Sequence, residues 1–294
     1  MKFYSINCCR LCNSKALTKK LSLTPTPWAD DYIKSHDLDK NQNVIPLDLY
    51  ECDICKHVQL KDIIDAEEVY LNYSYETDST LGLGEHFIET AHSTSKLFED
   101  KNGLVIDIGS NDGILLKYYK EIGFKTLGID PMPGISKKAS QNGVETMPIF
   151  FNKKSSLDVV AKHGKAKIVT SNNLVADTDD LDDFIDGVNN ILDEDGIFFF
   201  ETFYFYSQVK NFVWDFTYHE HYSYFLVKPL KEYFNKKNLE IIDVKTNNTK
   251  GGSIRIILQK KGGPRKISEE VNKFIENEKK DGFYNGQAIK NYGD

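Results

Sequence analysis

From Leu104 onward the apolar residues gather into short unbroken runs, each separated from the next by a stretch with helical spacing. The runs are LVIDI (104–108), KTLGI (125–129), VETMPI (144–149), AKIVTSNN (166–173) and GIFFFE (196–201). Continuous runs of this length predict strands covered on both faces, because a half-exposed strand would alternate apolar with polar. A capped helix is expected from Asp179 or Asp180, and GEHFIETAHSTSKLFED (84–100) has helical spacing as well. Two further runs, LEIIDVKT (239–246) and GSIRIILQK (252–260), are joined by the turn NNTKGG and read as a closing pair of strands. Strands alternating with helices predict an α/β fold with a mostly parallel sheet. Ahead of it the pattern is weaker: Val44–Leu49 reads as a strand, PTPWADDYI and DLDKNQN as irregular loop, and 61–75 as helix and then loop. After Lys261 a linker, a charged helix and polar residues run to Asp294.

The first long run is the most telling, because it ends VIDIGSNDGILL (105–116). Asp107 stands two positions before Gly109, and Gly113 follows four residues later. A glycine at 109 lets the chain turn sharply under a ligand, and one at 113 lets the next helix pack near the strand. The helix-start amides then face that ligand. A nicotinamide fingerprint would need glycine at 111 and 114, where this chain has Asn111 and Ile114. The pattern instead resembles the first motif of the S-adenosylmethionine (SAM) methyltransferases. Asp130, closing the second run 23 residues after Asp107, stands where a βαβ nucleotide fold grips a ribose diol. Asn172 and Asn173, ending the fourth run, are assigned to the same cofactor site.

All five cysteines lie in the first 55 residues, and Cys9, Cys12, Cys52 and Cys55 form two C-x-x-C pairs. Two such knuckles supply the four-sulfur tetrahedron that structural Zn2+ prefers, and their spacing in a chain expected to be cytoplasmic argues against disulfides. Cys8 is the odd thiol. The net charge of −7 and pI of about 5.6 give no general attraction for nucleic acid or an anionic membrane surface. No apolar run approaches the roughly 20 residues of a membrane span.

Aromatic residues make up 14 of the 28 positions from Phe198 to Phe225, against 12% overall, and among them lie Tyr218, His219, Glu220 and His221. An imidazole can take and release a proton near neutral pH, a carboxylate can orient it, and a phenol can donate to a developing oxyanion. A metal held by His219 and His221 is disfavoured, since the spacing is not H-E-x-x-H and no third ligand is evident.

The order of motifs, CRLC, YECDICKHVQL, NYSYETDST, DIGSNDG, GIDP, SNNLVADTDD, FETFYF and YHEHYSYF, resembles the nucleotide-sugar C-methyltransferases from about Cys9 to Leu258. That resemblance implies a Rossmann-like seven-stranded SAM-methyltransferase sheet with a small four-cysteine zinc domain, SAM as methyl donor, and a dTDP-like keto-deoxysugar methylated at a ring carbon, commonly C-3′. It also implies that His221 removes the proton next to the ketone and that Tyr218, Glu220 and Tyr73 or Tyr75 line the sugar site. The expected organisation is a zinc domain at 1–75, a methyltransferase domain at 76–262, and at 263–294 the start of a C-terminal domain that in the family continues further. One departure stands out: many relatives have N-x-x-A-H after the fourth strand, where this chain has Asn173-Leu174-Val175-Ala176-Asp177. Sugar O-methylation, a non-catalytic SAM-binding role and nucleic-acid base methylation are the rival readings. The last lacks its N/D-P-P-Y/F loop.

Overall fold

Buried on both faces, the apolar runs hydrogen-bond to one another, and the helices between them cover the sheet. A computed structural model describes residues 3–29, 32–65 and 83–294. In chain order its strands are β1 (Phe3–Ser5), β2 (Leu17–Thr26), β3 (Ile45–Cys52), β4 (Val58–Gln59), β5 (Asp62–Ile64), β6 (Leu104–Ile108), β7 (Lys125–Ile129) and β8 (Thr146–Met147). Then come β9 (Ala166–Asn172), β10 (Leu192–Phe203), β11 (Ser223–Tyr224), β12 (Leu239–Asn247) and β13 (Ser253–Lys260). The α-helices are α1 (Leu83–Ser95), α2 (Ile114–Ile122), α3 (Pro133–Gln141), α4 (Lys153–His163), α5 (Leu181–Ile191), α6 (Phe205–Lys210), α7 (Val227–Lys236), α8 (Glu270–Lys280) and α9 (Gln287–Gly293).

Seven strands form one sheet in the order β12-β13-β10-β9-β6-β7-β8. All neighbours are parallel except β13, which runs antiparallel to β10 and β12. The order reverses at β6, flanked by β7 on one side and β9 on the other, and in open α/β sheets that reversal opens a crevice at the strands' carboxyl ends. Residues alternate between faces: Ile106 and Ile108 join one core cluster, while Val105 packs with Phe87, Leu116 and Tyr119 under α1 and α2.

A second, four-stranded sheet has the order β11-β4-β3-β2, so its edge strand comes from the aromatic stretch far along the chain. β1 and β5 form a separate two-stranded ribbon. Over residues 61–65 the expected helix is therefore corrected, and the rest of that segment, 66–75, lies outside the described residues. Asp62–Ile64 is a strand because β1 offers it backbone partners, and because Ile63 and Ile64 bury their side chains there. β2, which sequence analysis did not find, falls in a run whose burial pattern is mostly exposed, so periodicity gave little signal. The third strand shrinks to Thr146–Met147. The tail also differs from expectation, because its polar end folds as α9. Val271, Phe283, Ala288, Ile289 and Tyr292 enter the main core cluster. Glu278, fully buried, accepts the Val227 amide at 2.6 Å at the start of α7 and the Tyr204 hydroxyl at 2.7 Å. No helix among the described residues is long and apolar enough to cross a membrane.

Candidate active site

The turn after β6 has the geometry its glycines predict. Gly109 and Gly113 both have positive φ, +76° and +81°, a region that costs residues with a Cβ. Asn111 between them is also left-handed, φ +49°, as asparagine tolerates better than most. The Asn111 amide donates to Asp130 Oδ2 at 2.9 Å, and the Met132 amide to Oδ1 at 3.0 Å. Both carboxylate oxygens are thus held by main-chain donors, and each retains a lone pair for a ligand hydroxyl. Burial raises the Asp130 pKa, with those two amides pulling against it. Asp107 accepts the Thr170 hydroxyl at 2.6 Å, and burial pushes its carboxyl up to about 7. Asn172 lies at the end of β9. Beside it, left-handed Asn173 (φ +52°) donates its amide to the Glu201 carbonyl at 2.7 Å. Ser110 Oγ and Asn172 Oδ1 are buried, line the cavity and have no hydrogen-bond partner among the described residues. Polar atoms left this way in a protein interior suit a ligand that completes their bonding.

The same cavity, about 520 Å3, is lined by Asp107, Gly109, Asn111 and Asp130 and also by Tyr218, Glu220 and His221. Gly113 lies behind the turn, where a Cβ would meet Val144 Cγ1 at 3.0 Å. Tyr73 and Tyr75 lie outside the described residues.

His221 has a definite tautomer. Its Nδ1 is 2.8 Å from the Phe216 carbonyl, which only accepts, so Nδ1 carries the hydrogen and Nε2 keeps a free lone pair. The ring stacks on Phe203 (centroids 4.4 Å apart) and leans on Tyr218 (3.9 Å). Burial pushes its pKa down to about 3, so it is neutral throughout the physiological range. The orienting group is therefore a main-chain carbonyl rather than the neighbouring carboxylate expected from sequence. Glu220 instead accepts the Trp28 indole N–H at 2.7 Å. His219 turns away to the Ile45 carbonyl at 3.2 Å, so the two histidines do not converge.

Asp177 Oδ1 lies 3.8 Å from His221 Nε2 and is buried without a hydrogen bond among the described residues. Burial, then the charge of Glu220, hold the Asp177 carboxyl well above the usual carboxylate range. Lys250 also lines the cavity, on a turn braced by Glu201. Glu201 accepts His86 Nε2 at 2.8 Å, Arg255 Nε at 2.7 Å and the Thr249 hydroxyl at 3.2 Å. Burial works to raise the Glu201 pKa, yet His86 and Arg255 together hold it below its ordinary value. Neither Lys250 nor Trp28 stands out in the sequence. Lys250 reads only as a hairpin turn, and a lone tryptophan in a polar loop carries no signal of its partner.

The sulfurs of Cys9, Cys12, Cys52 and Cys55 all lie within 4.8 Å of one another, with Cys9–Cys55 and Cys12–Cys52 at 3.5 Å. A metal about 2.3 Å from four sulfurs sets them about 3.8 Å apart, so the donor set fits Zn2+. Contact with the Cys9 sulfur, then burial, push the Cys55 thiol up, and burial pushes Cys12 up to about 11. A divalent cation supplies the charge that lets such thiols ionise. Among the described residues this is the one His/Cys/Asp/Glu group with metal-ligand geometry.

Known families match both parts of the chain. A zinc binding domain matches residues 9–70, and a methyltransferase domain matches residues 85–244. C-methyltransferase NovU of Streptomyces niveus is 27% identical over 276 residues, covering 94% of this chain. The chain spans 66% of that relative's length. Two crystal structures of the plantazolicin methyltransferase BpumL, in complex with SAH and desmethylPZN analogs, superpose with a TM-score of 0.50 at 12% identity. They cover 63% of this chain and 88% of theirs, a likeness of fold.

Proposed function

The chain belongs to the methyltransferase-domain family, and from that premise we propose that it methylates a carbon next to the ketone of a nucleotide-linked keto-deoxysugar. The observation that carries this reading is a neutral His221, its Nε2 without a hydrogen bond among the described residues, in the same cavity as the Gly109–Asp130 turn. SAM, when bound, supplies an electrophilic methyl group on a sulfonium. The residues fitted to hold it are Asp107, Gly109, Asn111, Asp130, Asn172 and Asn173, with Gly113 shaping the turn behind them. Zn2+ on Cys9, Cys12, Cys52 and Cys55 is structural in this reading, since four sulfurs close its coordination shell.

A ring carbon becomes nucleophilic only once it loses its proton, so a base and an oxyanion donor must act together. His221 Nε2 takes the proton and becomes imidazolium, and the C–H electron pair is delocalised onto the ketone oxygen. The Tyr218 hydroxyl and, in the protonated form that burial favours, the Asp177 carboxyl are the donors that stabilise that oxygen. SAM held by the residues around Asp107 and Asp130 would supply the methyl group for the new C–C bond, its sulfur keeping the electrons of the C–S bond. Glu220 lines the sugar side. NovU's name as a C-methyltransferase supports carbon as the acceptor atom. The motif order from Cys9 to Leu258 supports the sugar.

The test is to incubate the purified protein with SAM and a panel of nucleotide keto-sugars and follow the mass gain of one CH2. Without SAM, solvent deuterium should enter the sugar at the carbon next to the ketone. His221→Ala should lose about 10²-fold or more of turnover and all deuterium uptake while SAM binding survives. Near-normal turnover in that variant removes His221 from the base role, and mass gain on oxygen overturns carbon methylation.

A further inference from the structure

The loop that carries His221 is held largely from outside the seven-stranded sheet. His219 Nε2 is bound to the Ile45 carbonyl at 3.2 Å, and Glu220 Oε1 accepts Trp28 Nε1–H at 2.7 Å. The Tyr222 hydroxyl donates to the Ile64 carbonyl at 3.0 Å, and the Tyr222 carbonyl accepts the Leu60 amide at 2.9 Å. β11 follows at once and pairs with β4, Ser223 opposite Gln59 and Tyr224 opposite Val58. Residues 219, 220 and 222 are thus tied to the cysteine-bearing module, and His221 between them lines the cavity.

Arg10, between Cys9 and Cys12, makes a second tie. Its side chain is only 2% exposed. Nη1 donates to the Leu60 carbonyl at 2.7 Å, and Nη2 to Asp179 Oδ1 at 3.1 Å, with the guanidinium over the Tyr222 ring. The Arg10 amide donates to Gln59 Oε1 at 2.9 Å, and Gln59 Nε2 in turn to the Cys8 carbonyl at 3.1 Å. Asp179 lies two residues beyond Asp177 and also accepts the Tyr4 hydroxyl. The cofactor end is built differently. Asp107 and Asp130 are bonded to Thr170, Asn111 and Met132, all on the seven-stranded sheet or its turns.

We infer that the cysteine module is a jig for the acceptor end of the cavity, with Arg10 and Trp28 as positioning residues that carry the order of the metal knuckle to the 175–183 and 216–224 segments. The physical reason is that a buried guanidinium fixes whatever accepts its hydrogen bonds, since leaving either side unpaired is costly. If the knuckle loosens, Arg10 shifts, and Asp179, Leu60 and Tyr222 lose their common anchor. The inference rests on reading the His221 loop as the acceptor site.

The experiment compares zinc-loaded wild type with R10M and W28F by amide hydrogen exchange, zinc content and SAM affinity, none of which needs the acceptor. W28F keeps an aromatic ring against Ile45 and Ile64 and removes only the N–H donor, so it guards against misfolding in R10M. In both variants zinc content should stay stoichiometric and SAM affinity within about twofold. Exchange in 216–224 should rise about tenfold, as expected when a buried hydrogen bond to a charged group is lost, and in R10M it should also rise in 175–183. Extracting zinc from wild type should reproduce the R10M pattern, and R10K should restore part of the protection. Unchanged exchange in both zinc-loaded variants overturns the inference, as does SAM affinity falling in step with loop protection. If no keto-sugar is methylated but the exchange pattern holds, the functional reading fails and the mechanical coupling stands.

Discussion

At the scale of single residues, the site depends on groups that burial keeps neutral. Asp177 is the clearest case, because burial favours the protonated form of a carboxyl that lies 3.8 Å from the base. If that proton stabilises the ketone oxygen, wild-type turnover must fall as pH rises through the raised pKa and the donor ionises. Asp177→Asn removes the titration, so its alkaline limb should flatten, with turnover down about 10- to 100-fold. A pH–rate profile of both proteins checks this. Asp107 makes a stability prediction instead. Its pKa is about 7 in the folded chain against an ordinary 3.8, so the folded state keeps a proton that the unfolded chain gives up. That favours folding below about 4, and the advantage is lost as pH rises to about 7, by up to roughly 1.4 kcal/mol per unit. His221, held down to about 3, acts in the opposite sense below its ordinary 6.5. The difference between wild type and Asp107→Asn isolates the carboxyl. Denaturant melts should show the variant gaining stability relative to wild type from pH 4 to pH 7, while its amide oxygen keeps the Thr170 bond.

At the scale of elements, the glycines of two neighbouring helix starts have opposite duties. Gly113 caps α2 in a left-handed conformation, and a Cβ there would press on Val144 at 3.0 Å. Gly113→Ala should cost about 1–2 kcal/mol and, by displacing the turn that holds Asp130, weaken SAM binding. Gly134 sits in the first turn of α3 with nothing within 4 Å of a Cβ. Gly134→Ala should therefore be neutral or stabilising by about 0.5 kcal/mol. Thermal melts and a SAM titration on the pair separate conformational strain from a general intolerance of side chains around the site. Strand ends also explain what was legible at this scale. β6 and β7 fall on the expected residues because unbroken apolar runs mark them, and α5 begins after Asp180, whose side chain accepts the Asp183 amide at 3.0 Å. β5 and β2 were not legible. Their strand character comes from the partners they meet, β1 and β3, and not from a pattern of their own.

At the scale of the whole molecule, distant segments share one core. Tyr292, in α9, stacks on Trp214 with centroids 3.8 Å apart and donates its hydroxyl to the Val213 carbonyl at 2.9 Å. Tyr292→Ala should cost about 3 kcal/mol by urea melt, as for other buried aromatics truncated to a methyl. It should also loosen the aromatic stretch that leads into Tyr218. Little change would mean that the tail is only a surface cover. The cavity is a whole-molecule feature too, since its walls come from the first ribbon, the crevice at β6, the turn before α5 and the 247–252 turn.

The sequence by itself determined the seven sheet strands, the glycine turn with its two acids, and the cysteine set. Each of these is written in local periodicity, in backbone regions only certain residues tolerate, or in ligand spacing. Tertiary structure alone decided which partners complete the site. Trp28 and Glu220 are 192 residues apart, and nothing in either neighbourhood encodes their bond. The tautomer of His221, the nearness of Asp177 and the joining of β11 to the cysteine module likewise exist only once the two sheets have packed. Pairings between segments so far apart are set by the shape and burial of the folded chain, which no local pattern records.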